Sequence, residues 1–193
     1  MQKLTRDDLF SLEQYASVRD EFRDKVVTHK RDRRLPLGTN AALYFEDRLT
    51  MQYQVQEMLR VERIFEEQDI RAELEAYNPL IPDGSNLKAT MMIEYPEADE
   101  RRRQLGQLVG IEDQVWVEVA DAGRVTAIAD EDMERSTADK TSSVHFLRFE
   151  LTPEMVAALK DGAALSVGVD HAHYSEVAEV PAVMHESLIA DLD

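Results

Sequence analysis

The sequence predicts an α+β fold: a helical N-terminal half packed on a mainly antiparallel sheet of about five strands, with a C-terminal helix. Two observations favour this class. Before residue 78, apolar side chains recur at helical spacing, whereas after the loop 78–86 several segments alternate apolar and polar residues. The turn signal Asp121-Ala122-Gly123 is typical of hairpins, which join antiparallel strands. We therefore expect one domain over 1–193, with a helical part at 1–78 and a sheet-containing part at 79–193.

The helical part divides into segments with recognisable ends. Thr5 and Ser11 are hydroxyl residues of the kind that cap helices. Pro36 and Gly38 end a helix over 18–33. Segment 41–45 is short and apolar, so it is either a strand or the entry to a helix. Helices are then predicted over 47–66 and 70–77.

The second half alternates strands with short helices. Thr152 followed by Pro153 is the clearest helix start in the chain, because a capping hydroxyl precedes proline at the first helical position. Gly162 ends that helix. Strands are predicted over 87–95, 115–119, 125–129, 143–151 and 165–169, and further helices over 96–109 and 181–192.

Composition limits the classes of function. With 193 residues, 44% hydrophobic and 32% charged, the chain is typical of a globular protein that buries a core. It contains no cysteine, which excludes disulfides, thiolate metal sites and a cysteine nucleophile. No leader and no apolar membrane span is visible, so we expect a cytoplasmic protein. The net charge of −17 argues against nucleic-acid binding.

The charge is unevenly distributed along the chain. Residues 1–63 contain 12 Lys or Arg and 11 Asp or Glu, whereas residues 64–193 contain 10 and 28. A basic cluster follows His29 and consists of Lys30, Arg31, Arg33 and Arg34. It is either the cationic end of a helix, where positive charge suits the helix dipole, or a docking surface for an acidic partner.

Three histidines suggest a metal site. His171 and His173 share a face if their strand continues, and His145 lies on the apolar face of strand 143–151. If strands 143–151 and 164–171 pair antiparallel about the intervening helix, His145 lies opposite His171, and the three rings could bind zinc or iron. A parallel crossover would separate them. Hydrogen-bonded histidines at a sheet end, or an acid–base role, are the alternatives.

The helix over 47–66 offers a pocket wall. Tyr53, Glu57 and Arg60 recur at i, i+4 and i+7, so they share one face. Facing the sheet, they could form a pocket whose other members are His145, Arg148 and His171. A solvated ion pair between Glu57 and Arg60 is the alternative. A ferritin-like di-iron site is excluded, because Arg60 stands where a Glu-x-x-His motif needs histidine.

Several segments resemble a bacterial protein family of about this length that is known only as a domain of unknown function. They include Phe45-Glu46-Asp47-Arg48, Ala76-Tyr77-Asn78-Pro79-Leu80-Ile81-Pro82-Asp83-Gly84-Ser85-Asn86 and Gly168-Val169-Asp170-His171. Nearly the whole chain takes part in the resemblance, which implies no catalytic residue and no cofactor. Members are often encoded near rubrerythrin-like and iron–sulfur oxidoreductase-like proteins, which implies a link to redox or peroxide handling by association alone.

Two functions follow as expectations. The first is a cytoplasmic accessory or interaction protein that contacts an iron-containing redox partner through the basic cluster. The alternative is a small-molecule- or metal-binding enzyme with its pocket between helix 47–66 and the histidine-bearing strands. Whether the protein is an enzyme, its oligomeric state and its cofactor stay open.

Overall fold

The structure, a computed structural model, describes residues 2–193 and confirms the α+β class. Within that range the chain forms six α-helices and nine strands. The helices are α1 (Leu12–Arg31), α2 (Arg48–Glu62), α3 (Glu67–Tyr77), α4 (Ala98–Gln107), α5 (Pro153–Lys160) and α6 (Ala182–Ile189). The strands are β1 (Arg34–Leu37), β2 (Ala41–Glu46), β3 (Asn86–Ile93), β4 (Val115–Val119), β5 (Gly123–Thr126), β6 (Ile128–Ala129), β7 (Val144–Glu150), β8 (Leu165–His171) and β9 (Tyr174–Glu179).

The strands form two antiparallel sheets. The first has the order β1-β2-β3-β7-β6 and the second the order β5-β4-β8-β9. The segment predicted as one strand over 125–129 is divided between them, because β5 belongs to the four-stranded sheet and β6 to the five-stranded one. Between the two strands, the Ala127 amide donates to the Val115 carbonyl at 2.8 Å. The chain thus changes sheets within a single residue.

Strands 143–151 and 164–171 do not pair, so the antiparallel alternative on which the three-histidine site depended is wrong. β3 and β6 occupy the two edges of β7, so no edge is left for β8. β8 lies in the other sheet, between β4 and β9, and α5 carries the chain across. His145 faces Met91 on β3, and His171 faces Tyr174 on β9.

Buried apolar residues of the two sheets form one core. It includes Leu43, Met91 and Phe149 from the five-stranded sheet and Val117 and Val167 from the other, and α5 and α6 add Met155 and Leu188. The opposite face of the five-stranded sheet is also covered. Met58 on α2 and Tyr77 on α3 share a cleft with Lys88 and Phe146 of this face. The molecule therefore has a helical layer, a five-stranded sheet and a four-stranded sheet.

The basic cluster divides at Arg33. Lys30 and Arg31 end α1, as the helix-end interpretation predicts, and Arg34 begins β1. Arg33 points inward with 2% exposure and pairs with Asp191 beyond α6. Its side chain therefore cannot belong to a docking surface, because a buried guanidinium is already held by its own carboxylate.

Candidate metal centre

His145 lies at the end of the core face of β7 and is completely buried. Its Nδ1 is 2.7 Å from Asp130 Oδ2, and its Nε2 is 2.8 Å from Thr141 Oγ1. Nε2 is also 3.1 Å from the Ser142 carbonyl. Both ring nitrogens therefore have partners, and the ring is fixed in orientation.

The pairing of β6 with β7 brings Asp130 to His145. The Asp130 amide donates to the Phe146 carbonyl at 2.8 Å, and Asp130 Oδ1 accepts from the Phe146 amide at 2.9 Å. Asp130 has φ of 49°, a left-handed conformation that aspartate tolerates better than most side chains. Arg135 adds an ion pair to Oδ1 at 3.3 Å. The carboxylate is thus held from three directions.

Glu112 approaches from a third segment, the 3-10 turn Ile111–Gln114 that precedes β4. Its Oε2 lies 3.7 Å from His145 Nε2 and accepts from Thr141 Oγ1 at 3.1 Å. Ser136 Oγ donates to its other oxygen. Over residues 2–193, no Lys or Arg forms an ion pair with Glu112, so hydroxyl groups and the His145 ring are its only polar side-chain contacts.

Glu112, Asp130 and His145 form the one group of three His, Asp or Glu residues within the described chain that could hold a metal ion. One ligand atom from each lies within 4.8 Å of the other two. The two carboxylates line an open cleft of 490 Å³. Other charged residues of this cleft are Asp113, Glu134 and Arg135. Negative charge therefore predominates at the mouth, which favours cations over anions.

The other two histidines predicted as metal ligands lie elsewhere. His171 Nε2 contacts the Val109 carbonyl at 3.2 Å, and His171 Nδ1 accepts from the His173 amide at 3.2 Å. The two rings are neighbours, with centroids 5.9 Å apart. His145 is not grouped with them, because its strand belongs to the other sheet.

The predicted pocket wall on α2 faces α1 instead of the sheet. Glu57 accepts from Tyr15 Oη at 2.7 Å and from two nitrogens of Arg19 at 2.8 and 2.9 Å. The Arg19 guanidinium lowers the pKa of Glu57 to about 2 despite desolvation. Tyr53 packs near Phe22. These contacts join two helices, so Tyr53, Glu57 and Arg60 do not face the histidines.

Arg148 lines a cleft of 480 Å³ between the helical layer and the five-stranded sheet. Of the residues on α2, Met58 lines this cleft, whereas the predicted residues Tyr53, Glu57 and Arg60 do not. Arg148 is paired with Glu131 through two contacts of 2.9 Å and also contacts Glu150. A pocket between α2 and a histidine-bearing strand therefore exists, but His145 lies on the opposite face of that strand.

Sequence reasoning found His145 and missed both carboxylates. Glu112 and Asp130 lie 33 and 15 residues before His145, a spacing that matches no ligand motif. Among 39 acidic residues, neither is distinctive by type. The one local signal is that Glu112 directly follows the apolar Ile111, whose burial carries its neighbour toward the core.

Comparisons with known proteins give a family but no activity. The family described as "Protein of unknown function (DUF3501)" matches residues 3–192. A comparison with curated proteins finds no match. A crystal structure at 1.90 Å resolution, described as a novel protein of unknown function from Burkholderia pseudomallei, is 53% identical with a TM-score of 0.94. The similarity covers 100% of both chains. Among the described residues no helix combines the length and apolarity needed to cross a bilayer.

Proposed function

Since the chain belongs to the DUF3501 family of proteins of unknown function, we propose its function from the site: it binds one divalent transition-metal ion through Glu112 and His145, whose ring Asp130 orients. The observation that carries this proposal is the meeting of two carboxylates and an imidazole, each at most 9% exposed in its side chain, at the base of an acidic cleft. Buried carboxylates are costly unless cations or hydrogen bonds compensate them.

The ligand types select the class of ion. Carboxylates suit Mg²⁺ and Mn²⁺, whereas imidazole suits Fe²⁺ and Zn²⁺. A mixed set of carboxylate and imidazole ligands therefore favours Mn²⁺, Fe²⁺ or Zn²⁺. Glu112 Oε2 and His145 Nε2, 3.7 Å apart, have the separation of two ligands on one ion. Thr141 Oγ1 contacts both atoms, so Glu112 and His145 would hold an ion only with this hydroxyl turned aside.

The cleft would leave coordination positions of such an ion open to water or substrate. An ion in this position can polarise a bound carbonyl or lower the pKa of bound water. The protein's own contribution is to hold the His145 ring through Asp130 and to concentrate cations at the cleft. This arrangement supports a metal-dependent activity more directly than a passive scaffold.

Metal analysis after anaerobic reconstitution tests the proposal. The full chain is incubated with Fe²⁺, Mn²⁺ or Zn²⁺, passed through a desalting column and analysed for bound metal. We expect about one equivalent per chain, which should fall at least tenfold in Glu112→Gln and in His145→Gln. His171→Ala/His173→Ala is the matched histidine control and should keep its metal. Absence of metal from the wild-type chain, or equal loss in the control, refutes the proposal.

A second candidate function is a cytoplasmic accessory role beside an iron-containing redox partner, and it rests on the basic surface formed by Lys30, Arg31 and Arg34. Over the described residues, none of the three forms an ion pair with a carboxylate. Lys30 lies 5.9 Å from the Tyr53 ring centroid and Arg34 lies 5.5 Å from that of Tyr44, contacts that leave their charges available. An acidic partner surface would pair with them. The family resemblance supplies the redox association.

Affinity capture from native extract at low salt, followed by iron analysis of the eluate, tests this role. Lys30→Glu/Arg31→Glu/Arg34→Glu should lose a captured iron-containing oxidoreductase. Arg102→Glu/Arg103→Glu on exposed α4 is the matched control and should retain it. Recovery of no oxidoreductase by the wild-type chain, or equal recovery by the triple variant, contradicts the role.

A further inference from the structure

The cleft between the helical layer and the five-stranded sheet shares Arg135 with the cleft of the proposed metal centre but is lined by none of Glu112, Asp130 and His145. Its 480 Å³ lies within the range of small-molecule sites. The sheet contributes Lys88 and Phe146, and the helical layer contributes Met58, Tyr77 and Leu80. Half-buried apolar side chains of this kind form the walls to which a ligand with an apolar body binds.

Lys88 distinguishes the cleft from an ordinary crevice. It is half-buried, and its Nζ donates to the Pro79 carbonyl. Within residues 2–193 it forms no ion pair with a carboxylate. Burial is the largest influence on the pKa of Lys88 and lowers it, and Arg148 acts in the same direction. Asp83, Glu131 and Glu150 act in the opposite direction without forming an ion pair with Lys88, so the ammonium has no carboxylate in direct contact. An anion that entered the cleft would supply the missing partner.

The other cations of the cleft already have partners. Arg148 is paired with Glu131 and Glu150. Arg135 Nη1 and Nη2 contact the two oxygens of Asp132 at 2.6 and 2.7 Å, and its guanidinium carbon lies 4.5 Å from the Phe146 ring centroid. An entering anion would therefore pair with Lys88 in preference to the two arginines.

We propose that this cleft binds a small amphipathic carboxylate, whose charged group pairs with Lys88 and whose apolar body packs against Phe146 and Met58. The combination of Lys88 with apolar walls disfavours two other classes of ligand. A polyanion is disfavoured because Glu73, Glu131 and Asp132 also line the cleft. An uncharged ligand leaves Lys88 without a charged partner in a partly desolvated site, so it binds less tightly. This site is independent of the metal proposal, since its ligand touches none of Glu112, Asp130 and His145.

Calorimetric titration of the full chain with naphthalene-2-carboxylate and its uncharged amide tests the proposal. The two probes have nearly the same shape and differ in charge. We expect the carboxylate to bind at least tenfold more tightly than the amide. Lys88→Met should abolish that difference with little effect on amide binding. Exposed Lys160→Met is the matched control and should behave as the wild type.

Two further variants keep the test decisive. Met58→Trp fills the cleft from α2 and should weaken both probes, whereas Glu112→Gln should leave both unchanged. Equal affinity for carboxylate and amide overturns the proposal. A Lys88→Met variant that still binds the carboxylate more tightly than the amide also overturns the proposal. Circular dichroism establishes that this variant is folded.

Discussion

The Nδ1 atom of His145 lies 2.7 Å from Oδ2 of Asp130, and both side chains are at most 9% exposed. The two residues are 15 apart in sequence and meet because β6 pairs with β7. A carboxylate on one ring nitrogen fixes the orientation of the ring and directs the other nitrogen, here toward Thr141 and Glu112. The orientation of the His145 ring at the cleft therefore depends on the pairing of β6 with β7.

Replacing Asp130 should lower both stability and metal affinity. Asp130→Asn keeps the shape of the side chain but removes the negative charge that interacts with His145, Arg135 and the Phe146 amide. We expect a loss of about 1–3 kcal/mol in the free energy of unfolding, measured with urea. Metal affinity should fall about tenfold to 100-fold. Exposed Asp24→Asn on α1 is the control, and an equal effect there would contradict the assigned role.

The contact between α1 and α2 should depend on the charge of Glu57. Glu57→Gln weakens the bonds from Tyr15 and Arg19, and we expect about 2 kcal/mol of destabilisation near neutral pH. Arg19 lowers the pKa of Glu57 in the folded chain from 4.5 to about 2. The stabilisation is therefore complete above pH 4.5 and is lost as the pH falls toward 2.

Urea unfolding of wild type and Glu57→Gln across this pH range measures the effect. The stability difference should be constant above about pH 5.5 and should shrink below pH 4.5. Exposed Glu62→Gln, on the same helix, should differ little from wild type at any pH. A difference between wild type and Glu57→Gln that is independent of pH would show that the charge is not involved.

Local signals predicted the parts of the fold that depend on neighbouring residues. The Ser11 side chain accepts from the Gln14 amide at the start of α1, and Thr152 caps α5 with Pro153 at its first position. On β7, the predicted core face is buried and the opposite face is partly exposed. Pairing between distant strands was not predictable, because two sheets and one sheet give the same alternation of apolar residues.

In the candidate metal centre, too, local features were predictable and contacts between distant segments were not. His145 was recognisable as a histidine on an apolar face, but its partners depend on where β6 and the turn before β4 lie. His171, the partner expected for His145, lies elsewhere because α5 connects strands of two different sheets instead of neighbouring strands of one sheet. A spacing argument can place residues on one face of a helix, whereas a site built from three separate segments requires the tertiary structure.

Gly168 should be intolerant of any side chain. It faces Trp116 across the β4–β8 pair, and a Cβ atom at this position would overlap the indole ring. Arg124 lies 3.4 Å from that ring's centroid. Gly168→Ala should cost about 1–3 kcal/mol in stability. Because Trp116 is the single tryptophan, its fluorescence reports the displacement directly. Gly106→Ala in α4 is the control and should stay within about 1 kcal/mol of wild type. A fluorescence spectrum of Gly168→Ala identical to that of wild type would contradict the close approach of Gly168 to Trp116.

A buried network attaches the C-terminal segment to the rest of the molecule. Arg33 pairs with Asp191, lies 3.5 Å from Asp47, and donates to the Ser187 carbonyl at 3.1 Å. His29 contacts Asp47 at 2.5 Å on the other side. Burial raises the pKa of Asp191 from its ordinary 3.8 to about 6, although Arg33 acts in the opposite direction. Desolvation thus outweighs the attraction of the guanidinium.

The raised pKa of Asp191 predicts an unusual dependence of stability on pH. A carboxyl whose pKa is higher in the folded than in the unfolded state contributes stability below pH 3.8, and that contribution is lost as the pH rises through about 6. The difference between 3.8 and about 6 corresponds to on the order of 3 kcal/mol. Asp191→Asn cannot titrate, so wild type should lose stability relative to this variant between pH 4 and pH 7. Asp193→Asn, close in sequence, is the control, because it leaves Asp191 to titrate as in wild type. A wild-type stability that rises relative to Asp191→Asn over the same range would show that pairing with Arg33 dominates over burial.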